Sequence, residues 1–413
     1  MKETSSEHKL TIGSCMKILV IHNRYQIRAG EDAVFEKEVN LLQQYGHEVA
    51  TWVVDNQHID SRGLLNKLSL GINTIWSLKS YREMSRRIRD FKPDIVHVHN
   101  ILPLLSPSIF YACQFQKTPI VQTLHNYRLG CPVATFFREG QVCEDCLKQS
   151  LWSGIYYGCY RNSRLQTGTI ATMLQVHRYL GTWKNQVDGY IAVSQFLKDK
   201  VIQVGISPAK IYVKPNFVTL TSSSLENIEF GFYYLYVGRL VEEKGILWLL
   251  ETYKGMNPKY PLMIVGEGDL VELVKDYTVN NPMIRYVGVQ SKEQVLVWMQ
   301  GAIALIFPSL WYECCPLTII EAYSQNLPVV GTNLGAMLEL IKSRQTGLFF
   351  EKFNVESFKE QIIYIESDLE RWLNTKKNLR SFVDNLFFRE LNYKFLIDIY
   401  QKIIHRNKNQ RYL

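Results

Sequence analysis

Short apolar runs alternate with longer helical stretches along almost the whole chain, and this rhythm restricts the fold more than any other feature. In the first half the runs fall at 18–21, 49–54, 95–98, 120–124, 190–193 and 211–213. In the second half they fall at 233–237, 262–265, 284–287, 303–307, 329–330 and 348–350. Such alternation marks βαβ units and parallel sheets. A chain of 413 residues exceeds one ordinary core, so the two series predict an α/β protein of two doubly wound, Rossmann-like domains. The polar stretch 219–227 reads as the linker between them. The expected boundaries are a polar tail over 1–15, a first domain over 16–218, a second over 228–386 and a helical C-terminus over 387–413. Ligands of open α/β sheets bind outside the carboxyl ends of the strands, so the loops after these runs are where function is sought.

Composition removes several classes of function. Hydrophobic residues make up 46% and charged residues 21%, an ordinary globular balance. No apolar run reaches the length of a bilayer span. Residues 1–14 are polar and lack the hydrophobic stretch of a secretion signal, so a cytoplasmic location is expected. The net charge of +8 comes without an RNP, zinc-finger or helix-turn-helix pattern, so nucleic acid is not an expected partner. Over 62–92 the charge is uneven: Arg62, Lys67, Lys79, Arg82, Arg86, Arg87, Arg89 and Lys92 face only Glu83 and Asp90, with Leu68, Ile72, Trp76 and Leu78 among or beside them. Two readings stand. The segment lies peripherally on an anionic membrane surface, or it is a solvated helix whose apolar face packs on the sheet.

The chemistry concentrates in Pro308-Ser309-Leu310-Trp311-Tyr312-Glu313-Cys314-Cys315-Pro316-Leu317-Thr318-Ile319-Ile320-Glu321-Ala322. An apolar strand ends at Pro308, and Pro316 suits the first turn of a helix running to about Gln325. Glu313 precedes the helix, Glu321 lies one turn in, and the amides of Leu317 and Thr318 between them form an anion site. Hydroxyl, phosphate and hydroxyl in sequence describe a nucleotide sugar. Upstream, Gly238-Arg239-Leu240-Val241-Glu242-Glu243-Lys244-Gly245 follows a strand and opens a helix. Arg239, with its planar fork, and Lys244, as a point charge, suit a diphosphate. Gly266-Glu267-Gly268 also follows a strand, but Val271 stands where a dinucleotide fingerprint needs its third glycine. His125 ends the run 120–124, and Gly30 follows the first strand where a helix begins.

These segments, in this order, resemble the retaining glycosyltransferases of family 4, which have the GT-B fold. The resemblance covers the chain from Met16 onward. It implies that Arg239 and Lys244 hold the donor diphosphate and that Glu313 contacts sugar hydroxyls. It further implies that Glu321 contacts the ribose and that Gly238, Gly266 and Gly268 line the nucleotide. By the same resemblance His125 positions the transferring sugar, Gly30 belongs to the loop between donor and acceptor, and the C-terminal helix crosses back to the first domain. The expected donor is a UDP- or GDP-sugar, the acceptor a glycan or lipid-linked glycan of the cell surface, and the anomeric configuration is retained. Cys314-Cys315-Pro316 departs from the small residues that family members carry after the first glutamate. With no Asp-x-Asp loop in the chain, no catalytic metal is expected. Two other readings remain: a non-catalytic nucleotide-sugar-binding scaffold, and a GT-B epimerase.

Four of the eight cysteines, Cys131, Cys143, Cys146 and Cys159, fall in an insert over 127–165. A Cys-x2-Cys knuckle flanked by two further cysteines suits a tetrahedral structural zinc, and in a reducing compartment zinc is favoured over disulfides. The alternative is four unbound thiols. Tyr127, Phe136, Trp152, Tyr156, Tyr157 and Tyr160 surround the cluster, either to stack on acceptor sugars or to fill a small core.

Overall fold

The computed structural model describes residues 15–26, 30–59, 63–218, 232–279, 281–375 and 379–409. Residues 1–14 of the expected tail, the linker 219–227 and Arg62 lie outside the described residues. All twelve apolar runs form strands. The first series gives β1 (Lys17–Arg24), β2 (Glu48–Asp55), β3 (Ile95–Val98) and β4 (Ile120–Leu124). A short hairpin follows, β5 (Phe137–Arg138) with β6 (Gln141–Val142), and then β7 (Gly189–Ala192) and β8 (Ile211–Val213). The second series gives β9 (Tyr234–Val237), β10 (Leu262–Val265), β11 (Ile284–Gly288), β12 (Ala304–Phe307), β13 (Val329–Thr332) and β14 (Gly347–Phe350).

The first sheet has the order β2-β1-β3-β4-β7-β8 and the second the order β11-β10-β9-β12-β13-β14. The second is the doubly wound order in which the sequence direction reverses between β9 and β12, and ligands of such sheets bind at that switch point. Its strands pair in parallel, with Tyr234 of β9 opposite both Leu262 of β10 and Ala304 of β12. Successive residues feed opposite cores. Tyr234, Tyr236, Ile264, Ala304 and Ile306 enter one, while Leu235, Val265, Leu305 and Phe307 enter the other. A sheet buried on both faces needs runs that are apolar throughout, which is why these strands stand out in the sequence.

The chain forms two compact units, Met1–Leu124 with Thr172–Ile191 and Leu396–Leu413, and His125–Ala171 with Ala192–Phe395. The last helix, Arg389–Asn409, contributes its C-terminal half to the first unit. There Tyr400 is fully buried and its hydroxyl lies 2.7 Å from His97 Nδ1. No described helix is long and apolar enough to cross a membrane.

Candidate functional site

At the switch point of the second sheet, glycines let three loops approach more closely than any side chain allows. A Cβ on Gly266 would sit 1.9 Å from the carbonyl oxygen of Gly238, and one on Gly268 would sit 2.4 Å from that of Leu240. The backbones are sewn together there: the Gly238 amide donates to Val265 at 3.1 Å and the Leu240 amide to Glu267 at 2.7 Å. Gly245 has φ +73°, and its Cβ would lie 1.9 Å from the Pro308 carbonyl oxygen. The Leu310 amide donates to the Glu243 carbonyl at 2.9 Å. The loop after β9 is thus fixed against the loop after β12.

That contact sets the charged pair. Lys244 Nζ lies 2.6 Å from Glu313 Oε1, with both side chains largely buried. The same oxygen accepts from Ser309 Oγ at 3.0 Å and from Trp311 Nε1 at 2.7 Å. Lys244 also sits 5.3 Å over the Trp311 ring. Three donors on one oxygen fix the carboxylate and leave Oε2 for hydroxyl partners. The helix that follows runs Leu317–Ser324, with Pro316 at its cap position and no side chain capping it. The Leu317 and Thr318 amides have no hydrogen-bond partner among the described residues. Glu321 is half-buried on that helix. Arg239 is largely exposed and pairs with Glu243 at 3.2 Å.

Family models match nearly the whole of this framework. The model described as Glycosyltransferase Family 4 matches residues 39–222, and that described as Glycosyl transferases group 1 matches residues 223–382. The chain is a family 4 glycosyltransferase by sequence. Among curated relatives, it is 28% identical to the Escherichia coli UDP-Gal:alpha-D-GlcNAc-diphosphoundecaprenol alpha-1,3-galactosyltransferase over 410 residues, covering 94% of this chain and 95% of that protein. It is 24% identical to Mycobacterium tuberculosis glycogen synthase over 74% of this chain. For several curated relatives, that synthase included, the match spans only 59–64% of their length. Among solved structures, Anabaena Alr3699/HepE in complex with UDP superposes with a TM-score of 0.63 at 15% identity, covering 95% of this chain and 100% of that one. Two Rossmann-like sheets and this likeness establish the GT-B fold.

The other candidate residues of this family 4 chain stand on other elements. Gly30 opens the helix Gly30–Gln44 in the first unit. His125 follows β4, belongs to the second unit and is half-buried. His99 is buried, with Nε2 3.3 Å from Oε2 of Glu38 in the helix Gly30–Gln44. His22, also buried, pairs with Asp32 at 2.7 Å.

In the insert all four cysteines carry free thiols. Burial, then the neighbouring Cys131, Cys159 and Cys143, pushes the Cys146 thiol up to about 12. Cys159 is raised by burial and by Cys131, and Cys143 chiefly by burial. Among the described residues one group of ligating atoms lies within 4.8 Å of one another, and it is Glu38, His97 and His99 rather than the cysteines. Beside the knuckle a cavity of 490 Å³ is lined by Arg138, Glu144, Lys148 and Tyr312, among others. Ser309, Trp311 and Glu144 were not singled out by sequence. Ser309 and Trp311 lie inside the quoted motif but carry no signal of their own.

Proposed function

We propose that this chain transfers a sugar from a UDP-sugar to a lipid-linked glycan with retention of configuration. The observation that carries the reading is the Lys244–Glu313 pair, held at the switch point of the second sheet beside an uncapped helix N-terminus. In this reading the diphosphate lies between Arg239, Lys244 and the Leu317 and Thr318 amides. Glu313 Oε2 receives sugar hydroxyls, Glu321 receives the ribose, and Gly238, Gly266 and Gly268 shape the nucleotide wall. His125 orients the sugar and Gly30 borders the acceptor. The bond from the anomeric carbon to the phosphate oxygen breaks, the acceptor oxygen bonds on the same face, and the departing phosphate oxygen takes the acceptor proton. That step needs cations and amides to hold the developing charge and needs no base. Arg239 and Lys244 supply that charge, so transfer proceeds without a catalytic metal.

The choice of uridine follows the HepE structures, which are of complexes with UDP and with UDP-glucose. The acceptor class follows the E. coli relative, whose name specifies a diphosphoundecaprenol-linked sugar. A lipid-linked acceptor fits peripheral attachment through 62–92. There the helices Leu64–Ile75 and Leu78–Phe91 expose Leu68, Ile72 and Leu78 together with Lys79, Arg82, Arg86 and Arg89. The structural zinc at Cys131, Cys143, Cys146 and Cys159 belongs to the same proposal, since a Cys-x2-Cys knuckle with two further cysteines offers a cation four sulfur ligands.

Thermal shift with UDP, GDP, ADP and NAD, on wild type beside Glu321→Ala, tests the donor site. At roughly 100 times its dissociation constant a ligand adds about 2.7 kcal/mol of stability. A shift with UDP that is lost in the variant is expected. No shift with any nucleotide at millimolar levels would favour the scaffold reading, and conversion of the nucleotide sugar with no acceptor present would favour an epimerase.

A further inference from the structure

The Cys-rich insert grips the Glu313 loop at two points. Tyr127 is buried, and its hydroxyl donates to the Glu313 backbone carbonyl at 3.3 Å. Glu144, between Cys143 and Cys146 in the knuckle, reaches Tyr312 through Lys200, whose Nζ lies 5.3 Å over the Tyr312 ring. Glu144 is itself anchored by Lys200 Nζ at 2.5 Å. Aromatic packing fills the space between these ties: Phe196 stands 4.7 Å from Tyr312, and Tyr127 stands 5.0 Å from Phe136 of the insert. On its other side Tyr312 is closed by Gly335, whose Cβ would lie 3.2 Å from the Tyr312 Cα. All of these residues belong to the second compact unit.

The division of labour is informative. Lys244, Ser309 and Trp311, from the sheet's own loops, pin the Glu313 carboxylate. The insert instead meets the Glu313 backbone carbonyl, through Tyr127, and the Tyr312 ring beside it. A carboxylate that reads sugar hydroxyls has to be placed to within about 0.5 Å, and support from outside the loop is what supplies such placement. We propose that Tyr127 and Glu144 are positioning residues that fix Glu313 against the transferred sugar, so that the Cys knuckle governs how well the sugar half of the donor is held. The inference rests on the reading of Glu313 as the sugar-contacting group. It assigns the insert to the donor side of the reaction, whereas its aromatic composition alone leaves acceptor stacking and a small core equally open.

The diphosphate and ribose contacts lie on other residues, so the insert acts on UDP-sugar and not on UDP. Calorimetry on the full chain compares wild type, Tyr127→Phe and Glu144→Gln with UDP, UDP-galactose and UDP-glucose, after melting temperatures have shown each protein folded. The expected result is UDP affinity within about twofold of wild type in both variants. The ratio of the UDP-sugar to the UDP dissociation constant rises about five- to tenfold, equivalent to about 1–1.4 kcal/mol. Parallel weakening of UDP and UDP-sugar would overturn the inference, because a merely structural insert gives that pattern. No change in either ligand would overturn it as well. Wild type that binds UDP but neither conjugate removes the Glu313–sugar contact on which it stands. Wild type that binds no nucleotide refutes the donor-site reading itself.

Discussion

Lys244 enters the donor site already neutralised. Its ammonium lies 2.6 Å from Glu313 Oε1, so a diphosphate has to compete with that carboxylate for the charge. Glu313→Gln removes the competitor while keeping a polar amide beside Ser309 and Trp311. UDP affinity is expected to stay level or rise, while kcat falls about 10²-fold or more through misplacement of the sugar. Titration with UDP alongside initial-rate measurements separates the two effects, and a parallel loss in both would refute the assignment. Lys244→Ala acts in the opposite sense. It removes a charge-stabilising donor, worth about 10²–10³ in kcat, and strands a buried carboxylate. The stability cost stays below the ~3–5 kcal/mol of breaking a fully buried pair, because two other donors remain on Oε1. Glycine positions obey a harder constraint. Gly266→Ala would place a methyl 1.9 Å from a backbone oxygen that cannot yield without unzipping β9 from β10. About 3 kcal/mol or more of destabilisation is expected by urea unfolding. A loss below about 1 kcal/mol would show that the loops adjust.

At the scale of elements, what was legible in the sequence was what periodicity and strand-end chemistry encode. The twelve runs form the twelve strands of the two large sheets because parallel strands buried on both faces are continuously apolar. Arg239, Lys244, Glu313 and the helix N-terminus converge because they follow β9 and β12, the two central strands of one sheet. The β5–β6 hairpin was not legible: two-residue strands carry no period. Nor were the ties from Tyr127 and Glu144 to the Glu313 loop, which join residues 186 apart for Tyr127 and depend on how the insert folds. Pro316 was expected in the first helical turn and stands one position earlier, at the cap with ψ 104°, so the site's amides are those of Leu317 and Thr318 directly after it. The insert also carries a prediction. Burial, then the neighbouring thiols, pushes the Cys146 thiol up to about 12. In the proposed reading, zinc binding releases the protons of its thiol ligands and organises the insert. Elemental analysis of protein purified without chelator is expected to give about one zinc per chain, falling sharply in Cys146→Ser. A trace level in wild type would leave four plain thiols.

For the molecule as a whole, the helix Arg389–Asn409 shows how the end of the chain is required by its beginning. In the first unit Leu396, Ile399, Tyr400 and Ile403 are all buried. Each such side chain contributes about 1.5–3 kcal/mol through burial, so together they rival the ~5–15 kcal/mol net stability of an ordinary domain. Removing residues 396–413 is therefore expected to unfold the first unit rather than trim it. That loss would be read as a missing cooperative transition in calorimetry, with nucleotide binding by the second unit as the control. The polar part of the same contact is smaller and separable. His97 donates or accepts at both ring nitrogens, through Tyr400 at 2.7 Å and Thr123 at 2.7 Å. Burial, then the charge of Glu38, pushes the Tyr400 phenol well above its ordinary range. Tyr400→Phe keeps the ring and removes the hydrogen bond between the Tyr400 hydroxyl and His97 Nδ1, at a cost of about 1–3 kcal/mol. If the helix is held by its apolar face, this variant stays folded with a lowered urea midpoint. If the truncation and the single hydroxyl prove equally damaging, the buried histidine network holds the terminus in place and the hydrophobic contacts only accompany it.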